Sequence, residues 1–233
     1  LNRFNLEGLL EHYWSVSDVT PERLRGKYIR SAMLGESKAK RVLKILRDSP
    51  FNSTIIPEKL LDIGSGTGNM LAVAVSEFKQ VVGLDVGMRW LHVCRRRFMD
   101  KGMEVPPLVC CNAEHLPFTD GYFDLITCSA TLEFTRDQDK VFGECARTLD
   151  SNGGVYISTV NRYSIARDPY VYLWGVGLLP RAWQAPYVRW RRNASYENIR
   201  LLSLNELTCM ARKYFRSIQV ALPDIDDESL RQF

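Results

Sequence analysis

The stretch "LLDIGSGTGNM", Leu60 to Met70, puts glycines at 64, 66 and 68 directly after an apolar run. A short strand, a bare turn and a helix gather backbone N–H groups and the positive end of a helix around a ligand. Glycine is required there for positive φ, and because a Cβ would block close approach. Asp85 closes the next apolar run, "VVGLDV". It lies about 20 residues after the first glycine, where a carboxylate reaches the hydroxyls of a ribose. The pattern therefore points to a ligand that contains a nucleoside. A tight turn with an exposed aspartate would account for either part alone, but not for the whole series.

The spacing narrows the nucleoside. A dinucleotide loop reads GxGxxG, whereas Asn69 stands where its third glycine would be. No GK[ST] follows, so this is not a phosphate loop. His12, His92 and His115 have no partner readable from sequence, and His115 in "AEHLPF" reads as a solvated bystander. No grouping has metal-ligand spacing.

These residues need a scaffold, and the chain supplies one by alternation. Strands are expected at 59–63, 81–86, 107–113, 122–129 and 153–161, with helices at 69–78, 88–102 and 137–149. Leu91, Cys94 and Phe98 mark one apolar helix face. Alternating strands and helices mean an α/β fold with a doubly wound, mostly parallel sheet. Such a sheet binds ligands at the carboxyl ends of its strands.

Around that core the sequence divides four ways. Residues 1–57 form an N-terminal helical cap, closed by Pro50 and Pro57. Residues 58–161 are the Rossmann-like core, and 162–202 a helical insertion rich in Tyr, Trp and Arg. Residues 203–233 end the core, with a Ser203/Glu206 capping box, a sixth strand at 217–222 and an acidic, frayed tail. The chain opens on Leu1 rather than Met and reads as a trimmed piece; the resemblance described below implies a seventh strand, expected beyond Phe233 unless the sheet edge is completed otherwise.

The bulk numbers exclude some functions. The 233 residues carry a net charge of +4, 45% hydrophobic and 25% charged residues, ordinary for a globular protein. That charge is too mild for a dedicated nucleic-acid surface. Cys94, Cys110, Cys111, Cys128, Cys145 and Cys209 form no CxxC pair. They read as reduced core thiols of a cytoplasmic protein, and no signal peptide or membrane span is visible.

The glycine turn resembles motif I of the class I S-adenosylmethionine-dependent methyltransferases. "CNAEHLPFTDGYFDLITCS" is similar to that family's D-A-x-x-L-P-F-x-D-x-x-F-D segment, with Asn112 for the common Asp. "ECARTLDSNGGVYISTVN" is similar to its R-x-L-x-P-G-G turn, with Ser151-Asn152 in place of Lys-Pro. The resemblance covers residues 58 to 161. It implies S-adenosyl-L-methionine as cofactor and S-adenosyl-L-homocysteine as product. It also implies site roles. Asp62, Gly64, Ser65, Gly66 and Gly68 would border the methionine moiety. Asp85 would take the ribose hydroxyls, and Val86 would face the adenine. Ala113 would offer its N–H to the ring beside Asn112 and Glu114, and Ser129 would sit near the sulfonium.

The acceptor is less defined. Related small-molecule enzymes often carry Glu-His after the fourth strand; this chain has Glu133 followed by Phe134. Glu133 is the one weak catalytic candidate, to be set against a helix-start carboxylate. "SATLEF" also lacks the Asn/Asp-Pro-Pro-aromatic motif of nucleic-acid amino-methylation. A small-molecule acceptor is therefore expected, methylated at oxygen, with carbon as the alternative. A catalytically silent nucleoside-binding module and an NAD(P)-dependent oxidoreductase are the competing readings. In the insertion, Trp174, Trp183, Tyr187 and Trp190 suit either a lid over an aromatic acceptor pocket or a hairpin covering the sheet. Arg95 to Arg97 and Arg189, Arg191 and Arg192 read as solvated basic faces, or as attraction for an acidic acceptor. An entry under the N-terminal helices near Tyr13 and Tyr28 is the other route.

Overall fold

The computed structural model describes residues 4–15, 22–48 and 57–221. Three helices come first: α1 (Leu6–Ser15), α2 (Glu22–Leu34) and α3 (Glu36–Arg47). The core then alternates β1 (Lys59–Ile63), α4 (Asn69–Ala74), β2 (Gln80–Asp85), α5 (Met88–Asp100), β3 (Leu108–Cys110), β4 (Phe123–Ser129), α6 (Gln138–Thr148) and β5 (Leu149–Ser158). The insertion holds a 3₁₀ turn, Val176–Leu178, and α7 (Arg181–Arg192). Helix α8 (Leu204–Ala211) follows. Pro50 and the residues after 221 lie outside the described residues.

All five strands are parallel, in the order β3-β2-β1-β4-β5. The order reverses between β1 and β4, so the strand ends open a crevice there. The strands are apolar on both faces because both are covered. On one face Val42, Leu43, Leu71, Cys94 and Phe98 pack against Leu60, Val81 and Leu125. On the other, Val141, Phe142, Cys145 and Ala211 pack against Leu61, Ile63 and Ile126. Leu91, Cys94 and Phe98 are buried as their spacing requires.

Several expectations are corrected. Helix α4 stops at Ala74, where Ser76 and Glu77 donate to the carbonyls three residues back and tighten the last turn. Strand β3 is short, because Pro106 and Pro107 precede it and the Asn112 side chain accepts from Glu114 N at 3.0 Å, starting a turn. Residues 217–221 form no strand, and Ile218 and Val220 are exposed. Apolar alternation makes a strand only where a sheet edge accepts it, and the chain beyond β5 pairs instead through Asn161 and Leu202. Residue 222 and the tail are outside the described residues. Cys94, Cys128 and Cys145 are buried, but Cys110 and Cys209 are exposed and Cys111 is half-buried. The Ser203/Glu206 capping box is present.

Arg97 overturns the reading of 95–97 as a solvated face. It is 1% exposed. Its Nε donates to the Thr67 carbonyl at 2.7 Å, Nη2 to the Ala32 carbonyl at 2.6 Å, and Nη1 to Glu36 Oε1 at 3.1 Å. One guanidinium thus ties α2 and α3 to the glycine loop. Burial alone would push its charge off, and Glu36 opposes that. Removing one partner of a buried ion pair costs about 3 kcal/mol or more. Arg97→Ala should therefore lose at least that much in denaturant unfolding, and Arg97→Lys should recover less than half, lacking the planar fork. A loss below about 1 kcal/mol would show the contacts to be incidental.

Candidate functional site

The glycine loop leaves β1 and turns back over β2. Gly64 N and Ser65 N both donate to the Leu84 carbonyl, at 2.7 and 2.9 Å. The three glycines serve different needs. A Cβ on Gly64 would fall 1.9 Å from Thr131 Oγ1, and one on Gly68 2.5 Å from Cys94 Sγ. Those two let the loop pack against its neighbours. A Cβ on Gly66 would meet no protein atom closer than 3.7 Å, at φ +50°. Gly66 therefore lies bare on the open side, where a ligand would approach.

Asp85 ends β2 below that opening. Its Oδ2 accepts from Gly66 N at 3.0 Å and its Oδ1 from Gly87 N at 2.8 Å. Each oxygen keeps a second lone pair for a hydroxyl donor. Desolvation raises the carboxyl's pKa, while Gly87 N–H, Gly66 N–H and Arg89 pull it down. Asp62, one strand over, is buried and accepts from Thr127 Oγ1 at 2.7 Å. Desolvation pushes its pKa to about 7 against that hydrogen bond, and the Asp85 charge adds to the rise. Neither carboxyl forms an ion pair among the described residues, and a positively charged guest would favour their ionised forms.

The remaining sequence candidates divide. Ser129 ends β4, and its hydroxyl is buried without a partner among the described residues. The next residue, Ala130, holds φ +51°, a strained value for a residue with a Cβ. The Ser65 hydroxyl is likewise unpartnered, but it lies beside Gly83 of β2, so Ser65 offers the opening only backbone. Val86 is 74% exposed at the rim. Ala113 is buried within the core cluster. Asn112 serves the turn described above. The Glu114 carboxylate accepts from Arg136 N and Asp137 N at 2.8 and 3.2 Å, and so holds the approach to α6. His92 and His115 are exposed.

Glu133 does stand in the first turn of a helical element, but not at the surface. It is fully buried on the 3₁₀ turn Leu132–Phe134. Oε1 accepts from the Tyr170 hydroxyl, and Oε2 from Thr159 Oγ1 at 3.0 Å. Its backbone carbonyl accepts from Arg200 N at 2.8 Å. The insertion is therefore fastened to the ends of β4 and β5. Burial, then the Glu133 charge, drives the Tyr170 phenol strongly upward, so it stays protonated. Phe134 packs edge-on against Tyr170 at 4.9 Å.

The insertion leaves and returns at one place, since Arg162 N donates to the Leu202 carbonyl at 2.9 Å. It has its own core of Val171, Leu173, Val176, Val188 and Tyr196. Asp168 organises it, accepting from Tyr170 N at 2.8 Å and the Tyr196 hydroxyl at 2.5 Å. Trp174, Trp183 and Trp190 are exposed. Tyr187 is half-buried, its hydroxyl donating to the Trp174 carbonyl at 3.5 Å. The aromatics near the site are others. Trp90 borders Gly87, Trp14 packs on Trp90 at 5.7 Å and on Tyr28 at 6.0 Å, and the Tyr28 hydroxyl donates to the Pro169 carbonyl at 3.2 Å. This bridge from cap to insertion was not readable, because its members lie far apart in the chain.

Asp62 carries a pH prediction. The folded carboxyl keeps its proton to about pH 7, while an unfolded one releases it near pH 4. Between these values the folded state binds more protons, so stability falls as pH rises and levels off above 7. Each unit of raised pKa corresponds to ~1.4 kcal/mol. Asp62→Asn, which keeps an acceptor for Thr127, should flatten this dependence and melt above the wild type at alkaline pH. Parallel melting curves for the two proteins across this range would place the titration elsewhere.

The fold is matched by known proteins. Residues 61–157 fit a family model described as a methyltransferase domain. Over 102 residues the chain is 37% identical to a ubiquinone/menaquinone biosynthesis C-methyltransferase of Cupriavidus pinatubonensis, covering 42% of each. Over 108 residues it is 32% identical to a ubiquinone biosynthesis O-methyltransferase of Yersinia enterocolitica, covering 46% of this chain and 45% of the relative. The matches thus span less than half the length of these relatives. A crystal structure of a Bacillus halodurans protein described as a methyltransferase superposes with a TM-score of 0.58 at 19% identity, covering 76% of this chain and 68% of that one. A Haemonchus contortus phosphoethanolamine N-methyltransferase solved with S-adenosyl-L-methionine superposes with a TM-score of 0.53 at 26% identity, covering 75% and 36%. Among the described residues no helix is long and apolar enough to cross a membrane. Residues 61–157 of this chain, under half its length, thus match a methyltransferase-domain model, and the fold is the Rossmann-like one seen in methyltransferase structures.

Proposed function

We propose that this chain transfers a methyl group from S-adenosyl-L-methionine to a small-molecule acceptor, at oxygen or carbon. The observation that carries the reading is the open backbone of Gly66 directly above the Asp85 carboxylate. In this reading Asp85 takes the ribose diol, Val86 and Ala113 flank the adenine, and Gly64 to Gly68 border the methionine moiety. Asp62, Asp85 and the unpartnered Ser129 hydroxyl suit a group carrying a sulfonium and an ammonium. The cofactor supplies an activated methyl. The protein's part is to align a nucleophile behind it and exclude water, worth ~7–11 kcal/mol. The relatives' printed activities, O- and C-methylation in quinone biosynthesis, agree with such an acceptor. Buried free thiols fit a reducing compartment such as the cytoplasm.

Glu133 acts here through Tyr170 rather than on the acceptor. Both of its oxygens are engaged, and the phenol it holds stands where the insertion meets the strand ends. Tyr170 then orients the acceptor as a neutral hydrogen-bonding group. The domain division follows the same logic: cap and insertion close over a cofactor core. Phe134 in place of histidine favours the second reading, a nucleoside-binding module without transfer. An acceptor screen with isotopically labelled S-adenosyl-L-methionine, read by mass, separates the two, and no labelled product from any acceptor would favour the second.

Two outcomes follow. Asp85→Ala should weaken cofactor binding more than tenfold, from lost charged hydrogen bonds of ~1.5–3 kcal/mol each, and Gly66→Val should abolish it. Unchanged affinity by calorimetry in the folded variants would sink the ribose assignment. With an acceptor in hand, Tyr170→Phe should lower kcat/KM by about tenfold, ~1.4 kcal/mol, and leave cofactor affinity unchanged. Equal losses in both would make Tyr170 a structural latch only.

A further inference from the structure

The outward face of α7 exposes two indole rings. Trp183 is 68% exposed and Trp190, two turns on, 75% exposed. Opposite them Gln184 and Val188 are buried in the insertion. Trp174 and Ile165 extend the patch: the Trp174 indole N–H donates to the Ile165 carbonyl, the Tyr187 hydroxyl reaches the Trp174 carbonyl at 3.5 Å, and Ile165 is 90% exposed. Contiguous apolar patches of this kind mark an interaction site rather than ordinary surface.

The charge around the patch has one sign along the helix. Residues 181–192 contain four arginines and no acidic residue. Arg181 turns inward to Glu206, and Arg189 pairs with Glu197 at 3.0 Å between exposed side chains. The Arg191 guanidinium lies over the Trp190 ring, 5.3 Å from its centre. The Trp183 and Trp190 indole N–H groups have no protein partner among the described residues. Indole rings with a free N–H settle at a boundary that is apolar on one side and rich in oxygen acceptors on the other. Arginine extends its charge to phosphates while its stem stays apolar.

We propose that this face of α7, with Trp174 and Ile165, docks on the surface of an anionic phospholipid bilayer, the helix lying in the interfacial plane. The charge complementarity of arginines with lipid phosphates selects this occupant, and the apolar patch supplies insertion. A nucleic acid would use the arginines and the ring faces, but it offers nothing for Ile165. The face is held rigid by the insertion's core. Because that insertion is fastened to Glu133, docking sets the strand-end crevice close to the bilayer.

The test uses the whole chain and vesicles of phosphatidylcholine, with and without phosphatidylglycerol. The wild type should co-float with the anionic vesicles, shift its tryptophan emission to the blue and release in high salt. Trp183→Ser with Trp190→Ser should weaken this binding at least ~tenfold at unchanged melting temperature. Arg189→Gln with Arg191→Gln should weaken it similarly and flatten the salt dependence. Brominated lipids quenching wild-type tryptophan gives the same reading without a variant. A wild type that ignores anionic vesicles overturns the proposal, and so does full binding by the tryptophan variant. Retardation of RNA with no vesicle binding would overturn it equally and reassign the face.

Discussion

The Asp85 carboxylate, desolvated and holding one N–H from each of two loops, is the constraint on which the site depends. Gly66 N and Gly87 N converge on it from the β1 and β2 turns. That convergence requires the glycine loop to fold back over β2, which the double donation to the Leu84 carbonyl secures. It also requires Gly64 and Gly68 to have no side chains, since Thr131 and Cys94 fill that space. The loop is thus set by backbone hydrogen bonds and close packing before any ligand arrives. A preformed cradle loses less entropy on binding.

Two peripheral parts are attached to this core by polar contacts near the strand ends. Arg97 holds the cap to the loop at Thr67, and Glu133 holds the insertion to β5 through Tyr170 and Thr159. Cap and insertion meet where Tyr28 bonds the Pro169 carbonyl. In both attachments a charge is buried where no water can solvate it, so its partners must stay in place. Both attached parts lie outside the family match, which spans residues 61–157.

Much of the core was legible in the sequence. Short apolar runs located the five strands, and their alternation with helices implied parallel pairing. Asp85 and Ser129 fell at strand ends as read. The misreadings share a cause. Arg97 looked like one of three solvated arginines because sequence cannot show which helix side faces Glu36, 61 residues away. Segment 217–221 alternates like a strand, but no sheet edge receives it.

What the sequence determined by itself is local: the bare turn, the carboxylate at the end of the next strand, and the cap at Ser203. These depend on φ, on the absence of a Cβ and on hydrogen bonds within a few residues, all of which residue type dictates. The tertiary structure alone decided the desolvation of Asp62, the burial of Glu133 against Tyr170, and the outward turn of Trp183 and Trp190. Those depend on which distant surface covers a residue and which leaves it to solvent. Burial is a property of the packed molecule, and no single stretch of chain carries it.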